Sequence, residues 1–215
     1  MNDHVVLLHG LWLRGSAMGW LQRRLQREGF ATRVFDYASV DAGLEATGAR
    51  LREVVRGLAG RVHLVGHSLG GVLAALVVQR DPDLIDGSIV GLGAPVAGSV
   101  AARSLVRLPG GPALLGSSAQ VLTHGLSRWE GPRQLGIIAG RMPLGLGFLF
   151  GGLHLPHDGT VAVAETRLSG LTDHRVIAAA HTGLVYSELA ARHVVTFLRE
   201  GRFAAASQTR ERASA

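Results

Sequence analysis

The sequence predicts an α/β fold, with a mostly parallel central sheet and helices on both of its faces. From the start of the chain, short apolar runs alternate with longer segments of helical periodicity, which is the pattern of parallel strands joined by crossover helices. The chain has 215 residues, of which 47% are hydrophobic and 18% charged. That composition is sufficient to bury the core of one such domain.

The first half of the chain contains the regular part of this pattern. Residues 4–8 form a continuous apolar run, as expected for a strand that is buried on both faces. Residues 69–79 are apolar almost all round, so the helix that they form should be central. We expect strands at 4–8, 32–35, 62–65 and 87–92, and helices at 17–28, 41–58 and 69–79.

The second half begins with an interruption at residues 96–130, where glycine and proline recur among short helical pieces. We interpret this interruption as a short cap-like insertion over the carboxyl edge of the sheet. The pattern is then completed by strands at 135–139 and 175–179 and an amphipathic helix at 186–199. We predict a single domain over residues 1–202 and a disordered tail over 203–215, since the polar end of the chain has little to bury.

The net charge and the absence of lysine and cysteine indicate which binding partners and which cellular compartment to expect. The formal net charge is +6, and all 22 basic residues are arginine. They are scattered over predicted helix faces without a nucleic-acid motif, so no nucleic-acid partner is expected, while a weak contact with a membrane surface stays open. The chain has no cysteine, and it opens directly into a strand pattern rather than a secretory signal. We therefore expect a cytoplasmic protein.

Residues 66–71, Gly-His-Ser-Leu-Gly-Gly, follow a predicted strand and precede the buried helix. In this context the pattern G-x-S-x-G is typical of a sharp turn that holds a serine at its tip in a strained conformation. The flanking residues must be tiny because strand and helix pass closely there. Ser68 is therefore the predicted nucleophile. We interpret His67, at the variable position of the turn, and His63, on the preceding strand, as structural.

A serine hydroxyl needs a base that takes its proton. In a fold of this kind the acid and then the base follow the serine along the chain. Of the ten histidines, the candidates near the last predicted strand are His174, His181 and His193. His181 directly follows that strand, whereas His174 precedes it and His193 lies within the closing helix. His181 is the predicted base.

The acid that orients this histidine should follow the penultimate strand. Asp158 is the first carboxylate after that strand, and Gly159 beside it favours a tight turn. Glu165 stays open as the alternative acid. Asp173 precedes the last predicted strand, so it would lie at the wrong edge of the sheet.

Acyl transfer also needs donors for an oxyanion. The backbone N–H of Leu69, directly after the nucleophile, is one candidate. The other should come from the loop after the first strand, where Gly10 lets the chain turn and the amide of Leu11 is our candidate. His154 and His157 lack a third ligand at a metal-binding spacing, so we expect neither a metal nor a cofactor.

Together these segments resemble the α/β-hydrolase superfamily, and more narrowly its bacterial lipase and esterase branch, which includes relatives of a lipid-anchor deacylase. The segments that carry the resemblance are His9-Gly10, residues 66–71, Gly-Ala-Pro-Val-Ala-Gly-Ser at 93–99, Asp158-Gly-Thr-Val and His181. The resemblance covers about residues 4–200 and implies Ser68, Asp158 and His181 as nucleophile, acid and base. The short insertion departs from larger lipases, which carry a fuller lid.

We therefore predict a serine hydrolase that cleaves carboxylic esters through an acyl-enzyme. The expected substrate is a small-molecule or lipid-like ester with an apolar acyl group. Trp12, Phe148 and Phe150 are candidate substrate-binding residues, because the apolar segments that contain them are expected to rim the site. Thioester hydrolysis or acyl transfer by the same residues stays open, as does a non-catalytic member of the fold that only binds a ligand.

Overall fold

A computed structural model of the chain describes residues 3–145 and 153–205. Its strands are β1 (His4–Leu8), β2 (Ala31–Phe35), β3 (Val62–His67), β4 (Ile89–Leu92), β5 (Leu135–Gly140) and β6 (Asp173–Ile177). They form one six-stranded sheet in the order β2-β1-β3-β4-β5-β6, and every neighbouring pair is parallel. The predicted α/β fold is therefore confirmed.

The helices cover both faces of this sheet. They are α1 (Gly19–Arg27), α2 (Leu44–Arg56), α3 (Leu69–Arg80), α4 (Val100–Leu105), α5 (Gly111–Leu115), α6 (Ala119–His124) and α7 (Glu188–Glu200). Because successive side chains of a strand point to opposite faces, Val6 and Leu8 of β1 join one core with α2, α3 and the cap helices. Val5 and Leu7 join the other core, with α1 and α7.

The central position of α3 follows from its composition. Its residues are apolar on all sides of the helix, and nine of them are buried. Such a helix gains most free energy where the sheet and neighbouring helices cover it completely. Among the helices of residues 3–145 and 153–205, none combines the length and the hydropathy needed to cross a membrane.

The last strand differs from its prediction. The structure places β6 at 173–177 instead of 175–179, so His174 lies within the strand, paired with Ile137, rather than before it. Asp173, His174 and Arg175 are too polar for a strand that is buried on both faces. At the edge of the sheet, however, half-buried side chains are sufficient.

Phe203 lies in the segment that we assigned to the tail, but it is buried. Its ring centroid is 4.8 Å from that of Phe197, and its backbone N–H donates to Oδ2 of Asp173 at 2.8 Å. The packed part of the chain therefore extends past the predicted boundary at residue 202. The rest of the predicted tail, from residue 206, lies outside the described residues.

The insertion over 96–130 forms the three short helices α4, α5 and α6, whose apolar side chains extend the core below them. Its first helix is held by a buried carboxylate. Glu165 accepts a hydrogen bond from the backbone N–H of Val100, at the start of α4, and another from the N–H of Ala162 at 2.6 Å. The cap is thus connected through Glu165 to the segment that follows Asp158.

Candidate active site

Ser68 stands at the sharp turn between β3 and α3. Its backbone has φ 52° and ψ −121°, a region that residues with a Cβ rarely adopt. Its N–H donates to the carbonyl of Leu92 at 2.8 Å, which fixes the turn to β4. A Cβ on Gly66 would lie 2.3 Å from the backbone of Gly70, and a Cβ on Gly70 would lie 2.5 Å from the carbonyl oxygen of His9. Glycine is therefore required at both flanking positions.

Asp158 and His181 form a direct hydrogen bond. Nδ1 of His181 donates to Oδ2 of Asp158 at 2.7 Å, and the carboxyl group is almost completely buried. Since Nδ1 is the donor in this pair, Nε2 is the ring nitrogen that is left to accept a proton. The contact therefore orients the imidazole and selects its tautomer, as a triad acid does.

The remaining oxygen of Asp158 is also bound. Oδ1 accepts from the backbone N–H of Thr160 at 3.0 Å and from that of Val161 at 2.7 Å. A Cβ on Gly140, at the end of β5, would lie only 2.7 Å from Cβ of Asp158. Glycine at the end of β5 thus makes the room that the carboxylate needs beside the sheet edge.

Ser68 and His181 line one cavity of about 370 Å³, which lies between the sheet edge and the cap. Leucine and alanine make up eight of the 18 described residues that line it. Among the described residues that line it, the ionisable ones are His67 and His181. The remaining lining residues are Gly10, Leu11, Trp12, Leu13, Ser99, Ala101, Ala102, Leu105, Leu115, Leu122, Leu144, Gly145, Thr160, Val161 and Thr182.

Of the two predicted oxyanion donors, Leu11 lines this cavity, and Leu69 directly follows Ser68, which also lines it. Leu69 is the first residue of α3, so its N–H has no preceding helical carbonyl to bind. Leu11 lines the cavity, and within the described part of the chain its N–H makes no hydrogen bond. Gly10 lies against Ser68, since a Cβ on Gly10 would be 3.2 Å from Cβ of Ser68.

Trp12 also lines the cavity, with 56% of its surface exposed. Its φ of 59° is rare for a bulky residue and costs about 1–3 kcal/mol. Two hydrogen bonds offset this strain: its backbone N–H donates to Oγ of Ser39 at 3.1 Å, and its indole N–H donates to the carbonyl of Leu114 at 2.8 Å. Neutral hydrogen bonds contribute about 1 kcal/mol each, so the two together are comparable in size to this cost.

The other sequence-predicted residues lie elsewhere. Phe148 and Phe150 fall outside the described residues. Glu165, the alternative acid, is bound to the cap rather than to His181. His193 is buried beside Phe203 at a ring separation of 5.9 Å. Nδ1 of His157 accepts from the N–H of Gly159 at 3.0 Å, which supports the turn beside Asp158.

The sequence did not predict the contact between His67 and the backbone of His181. Nε2 of His67 donates to the backbone carbonyl of His181 at 3.1 Å, and the two rings lie 4.8 Å apart. Burial, with a smaller contribution from the neighbouring His181, lowers the pKa of His67 to about 3. His67 therefore stays neutral and supports the chain at His181.

A parallel sheet with a serine at a strained strand-to-helix turn, and an Asp–His pair following it along the chain, is the arrangement of an α/β hydrolase. The model of the Alpha/beta hydrolase family matches residues 5–206. Because the match covers nearly the whole chain, the protein belongs to this family. A search of curated proteins finds no match.

Solved structures share this fold. The mature form of the lipase BlEst2 from Bacillus licheniformis is 19% identical, with a TM-score of 0.73 and coverage of 92% of this chain and 91% of that one. A pyrethroid hydrolase from Sphingobium faniae JZ-2 is 16% identical, with a TM-score of 0.60 and coverage of 93% and 98%. The metagenomic carboxyl esterase MGS0156 is 20% identical, with a TM-score of 0.65 and coverage of 84% and 64%.

Proposed function

We propose that the protein is a serine hydrolase that cleaves carboxylic esters through an acyl-enzyme at Ser68. The observation that carries this proposal is the hydrogen bond of 2.7 Å between Asp158 and His181 beside a cavity that Ser68 also lines. A buried Asp–His pair leaves Nε2 of the histidine as the base, and a serine in the same cavity is the group that this base can activate. The names of the similar solved structures, a lipase and two other hydrolases, agree with ester cleavage.

The reaction then has two halves. Oγ of Ser68 attacks the ester carbonyl carbon while Nε2 of His181 takes the hydroxyl proton, and the N–H groups of Leu11 and Leu69 bind the developing oxyanion. The carbon–oxygen bond to the alcohol breaks, and His181 gives its proton to the departing alcohol. Water, deprotonated by His181, then attacks the acyl carbon. The bond from this carbon to Oγ of Ser68 breaks, His181 returns the proton to Oγ, and the acid is released. Asp158 stays ionised and stabilises the imidazolium in both halves.

The cavity favours a neutral, apolar acyl group. Its walls carry leucine and alanine from the cap, including Ala102, Leu105 and Leu122, and its ionisable residues within the described chain are His67 and His181. The described walls offer a charged acyl group neither a carboxylate nor a guanidinium partner, whereas an alkyl chain would bury apolar surface at about 25 cal/mol per Å². A volume of about 370 Å³ lies near the small end of the range for ligand pockets.

A fluorophosphonate probe tests the nucleophile directly, because it phosphonylates activated serines. We expect the wild-type protein to be labelled and Ser68→Ala to remain unlabelled. Ser99 lines the same cavity, so Ser99→Ala is the matched control and should still be labelled. Equal labelling of Ser68→Ala and the wild type, or no labelling of the wild type, would show that the proposed mechanism is wrong.

An activity profile over p-nitrophenyl esters of increasing chain length tests the substrate class. We expect kcat/KM to rise from the acetate to esters of medium length, since each buried CH₂ contributes about 0.8 kcal/mol. The matching thioesters, assayed in parallel, separate ester from thioester hydrolysis. A profile that falls steadily from the acetate would contradict the assignment of the leucine-lined cavity as an acyl site.

A further inference from the structure

Residues 36–40, which follow β2, contact the oxyanion loop (residues 9–15) at several points. Oδ1 of Asp36 accepts from the N–H of Gly15 at 2.9 Å. The phenol of Tyr37 donates to the carbonyl of His9 at 2.7 Å, and the two rings stack with centroids 4.3 Å apart. Burial raises the pKa of Tyr37, so its hydroxyl remains a donor at all working pH values. We call residues 36–40 the bridging segment.

Ser39 makes the contact nearest to the candidate oxyanion donor. Its Oγ accepts the backbone N–H of Trp12 at 3.1 Å. Ser39 is buried and is absent from the described residues that line the cavity. Its hydroxyl therefore influences the site through the backbone of the oxyanion loop rather than through contact with a substrate.

The geometry of the turn explains how this contact reaches Leu11. The N–H of Leu13 donates to the carbonyl of Gly10 at 3.3 Å, and the planar trans peptide then directs the N–H of Leu11 away from that carbonyl. The next peptide plane is held by the bond from the N–H of Trp12 to Ser39. Since Trp12 has a φ of 59°, the turn is strained, and without an acceptor at Ser39 the two peptide planes can rotate toward a more favourable conformation.

We propose that Ser39 is a positioning residue of the oxyanion hole. It holds the Leu11–Trp12 peptide in the strained conformation that directs the N–H of Leu11 toward Ser68. This inference rests on the function proposed above, because the N–H of Leu11 matters only if an oxyanion forms beside Ser68. It adds that the rate of acyl transfer depends on a hydroxyl that no substrate contacts.

The same segment also binds the cap, and this provides a matched control. The carbonyl of Val40 accepts both from the N–H of Ser117 at 2.8 Å and from Oγ of Ser117 at 2.7 Å. Ser117→Ala therefore removes a serine hydroxyl that is bound to the bridging segment, as Ser39→Ala does, but leaves the bond to Trp12 intact. A general loosening of the segment would affect both variants, whereas a displaced Leu11 would follow from Ser39→Ala alone.

The experiment measures kcat and KM of wild type, Ser39→Ala, Ser39→Thr and Ser117→Ala with p-nitrophenyl acetate and octanoate. Loss of a whole oxyanion donor lowers kcat about 10²–10³-fold, so a displaced donor should lower it about tenfold. We expect this decrease in Ser39→Ala for both esters alike, with KM changed less than about twofold, and the same decrease in the rate of fluorophosphonate labelling. Ser39→Thr keeps a hydroxyl and should recover most of kcat, and Ser117→Ala should resemble the wild type.

Several outcomes would overturn the inference. Three results for Ser39→Ala would show that Ser39 has no role in the oxyanion hole. They are a wild-type kcat, a change in KM alone, and a decrease in kcat with the octanoate only. An equal decrease in Ser117→Ala would show general loosening. These outcomes require an active wild-type protein, so they leave the proposed function standing. A wild type that neither hydrolyses esters nor reacts with the probe would overturn the proposed function and this inference with it.

Discussion

Asp158 and His181 are joined twice, through their side chains and through their backbones. Besides the bond from Nδ1 to Oδ2 at 2.7 Å across a separation of 23 residues, the N–H of His181 donates to the carbonyl of Asp158 at 2.9 Å. The loop after β5 and the loop after β6 are thereby fixed to each other at the point where the imidazole projects. The backbone hydrogen bond thus restrains both loops and helps to keep the side chains of Asp158 and His181 in contact.

Asp158→Asn tests the acid. An amide can place its NH₂ group against Nδ1, which selects the wrong tautomer of His181, so kcat for ester hydrolysis should fall about 10⁴-fold. Circular dichroism should show an unchanged fold. Glu165→Gln alters the alternative acid, and it should keep kcat within about tenfold of the wild type. If Glu165→Gln loses as much activity as Asp158→Asn, the assignment of the acid is wrong.

Glu165 should instead matter for stability. In Glu165→Ala the N–H groups of Val100 and Ala162 lose a buried acceptor, and each unsatisfied buried group costs about 1–3 kcal/mol. We expect the free energy of unfolding, measured by urea denaturation, to fall by about 3 kcal/mol. Glu53→Ala, at an exposed position on α2, is the control and should change it by less than about 0.5 kcal/mol. A wild-type stability for Glu165→Ala would contradict the proposed connection between the cap and the acid loop.

The elbow could be predicted from the sequence because all its constraints are local. The small residues, the strand and the buried helix lie within a few positions of Ser68, and their spacing is fixed by the close approach of strand and helix. The bond between Ser39 and the N–H of Trp12 joins positions 27 residues apart. A serine in a loop has no distinguishing pattern, so only the folded arrangement of β1 and β2 reveals this contact.

The order in which the fold places acid and base along the chain indicated the two other predicted site residues, Asp158 and His181. It restricted the base to the loop after the last strand and the acid to the loop after the strand before it, which was enough to single out His181 and to favour Asp158. It could not locate the start of β6, because an edge strand tolerates Asp173 and Arg175. Nor could it find Phe203, whose burial depends on packing against the rings of Phe197 and His193.

Gly70→Ala tests the requirement for close approach at the elbow. The new Cβ would lie 2.5 Å from the carbonyl oxygens of Leu8 and His9, and backbone atoms cannot yield as a flexible side chain can. We expect the melting temperature to fall by more than about 5 °C, which corresponds to a loss of about 2 kcal/mol or more in a domain of this size.

Gly19→Ala is the matched control for this substitution. Gly19 begins α1, and a Cβ there would meet only the guanidinium of Arg23 at 3.7 Å. Since alanine favours a helix over glycine by up to about 1 kcal/mol, this variant should melt at the wild-type temperature or slightly above. Equal melting temperatures for the two variants would show that the elbow can relax, and the close approach would then not explain its glycines.

Two histidines, the half-buried His174 and the buried His193, should make the protein less stable in mild acid. Burial is the main cause that lowers the pKa of His174 and of His193 to about 4 each, from the usual 6.5. The unfolded chain therefore binds more protons than the folded chain between about pH 6.5 and 4. The free energy of unfolding must then decrease as the pH falls through that window, by at most about 1.4 kcal/mol per pH unit for each histidine.

His193→Gln should reduce this slope, because glutamine does not titrate. The groups that act on His193 are Arg175 and Arg192, which lower its pKa further, and Asp173, which raises it. His124→Gln, at an exposed position on α6, is the control, since it removes a histidine that is not buried. Urea denaturation at pH 4.5, 5.5 and 6.5 should give a smaller decrease for His193→Gln than for the wild type or the control. If all three proteins lose stability equally over this range, other groups cause the acid sensitivity.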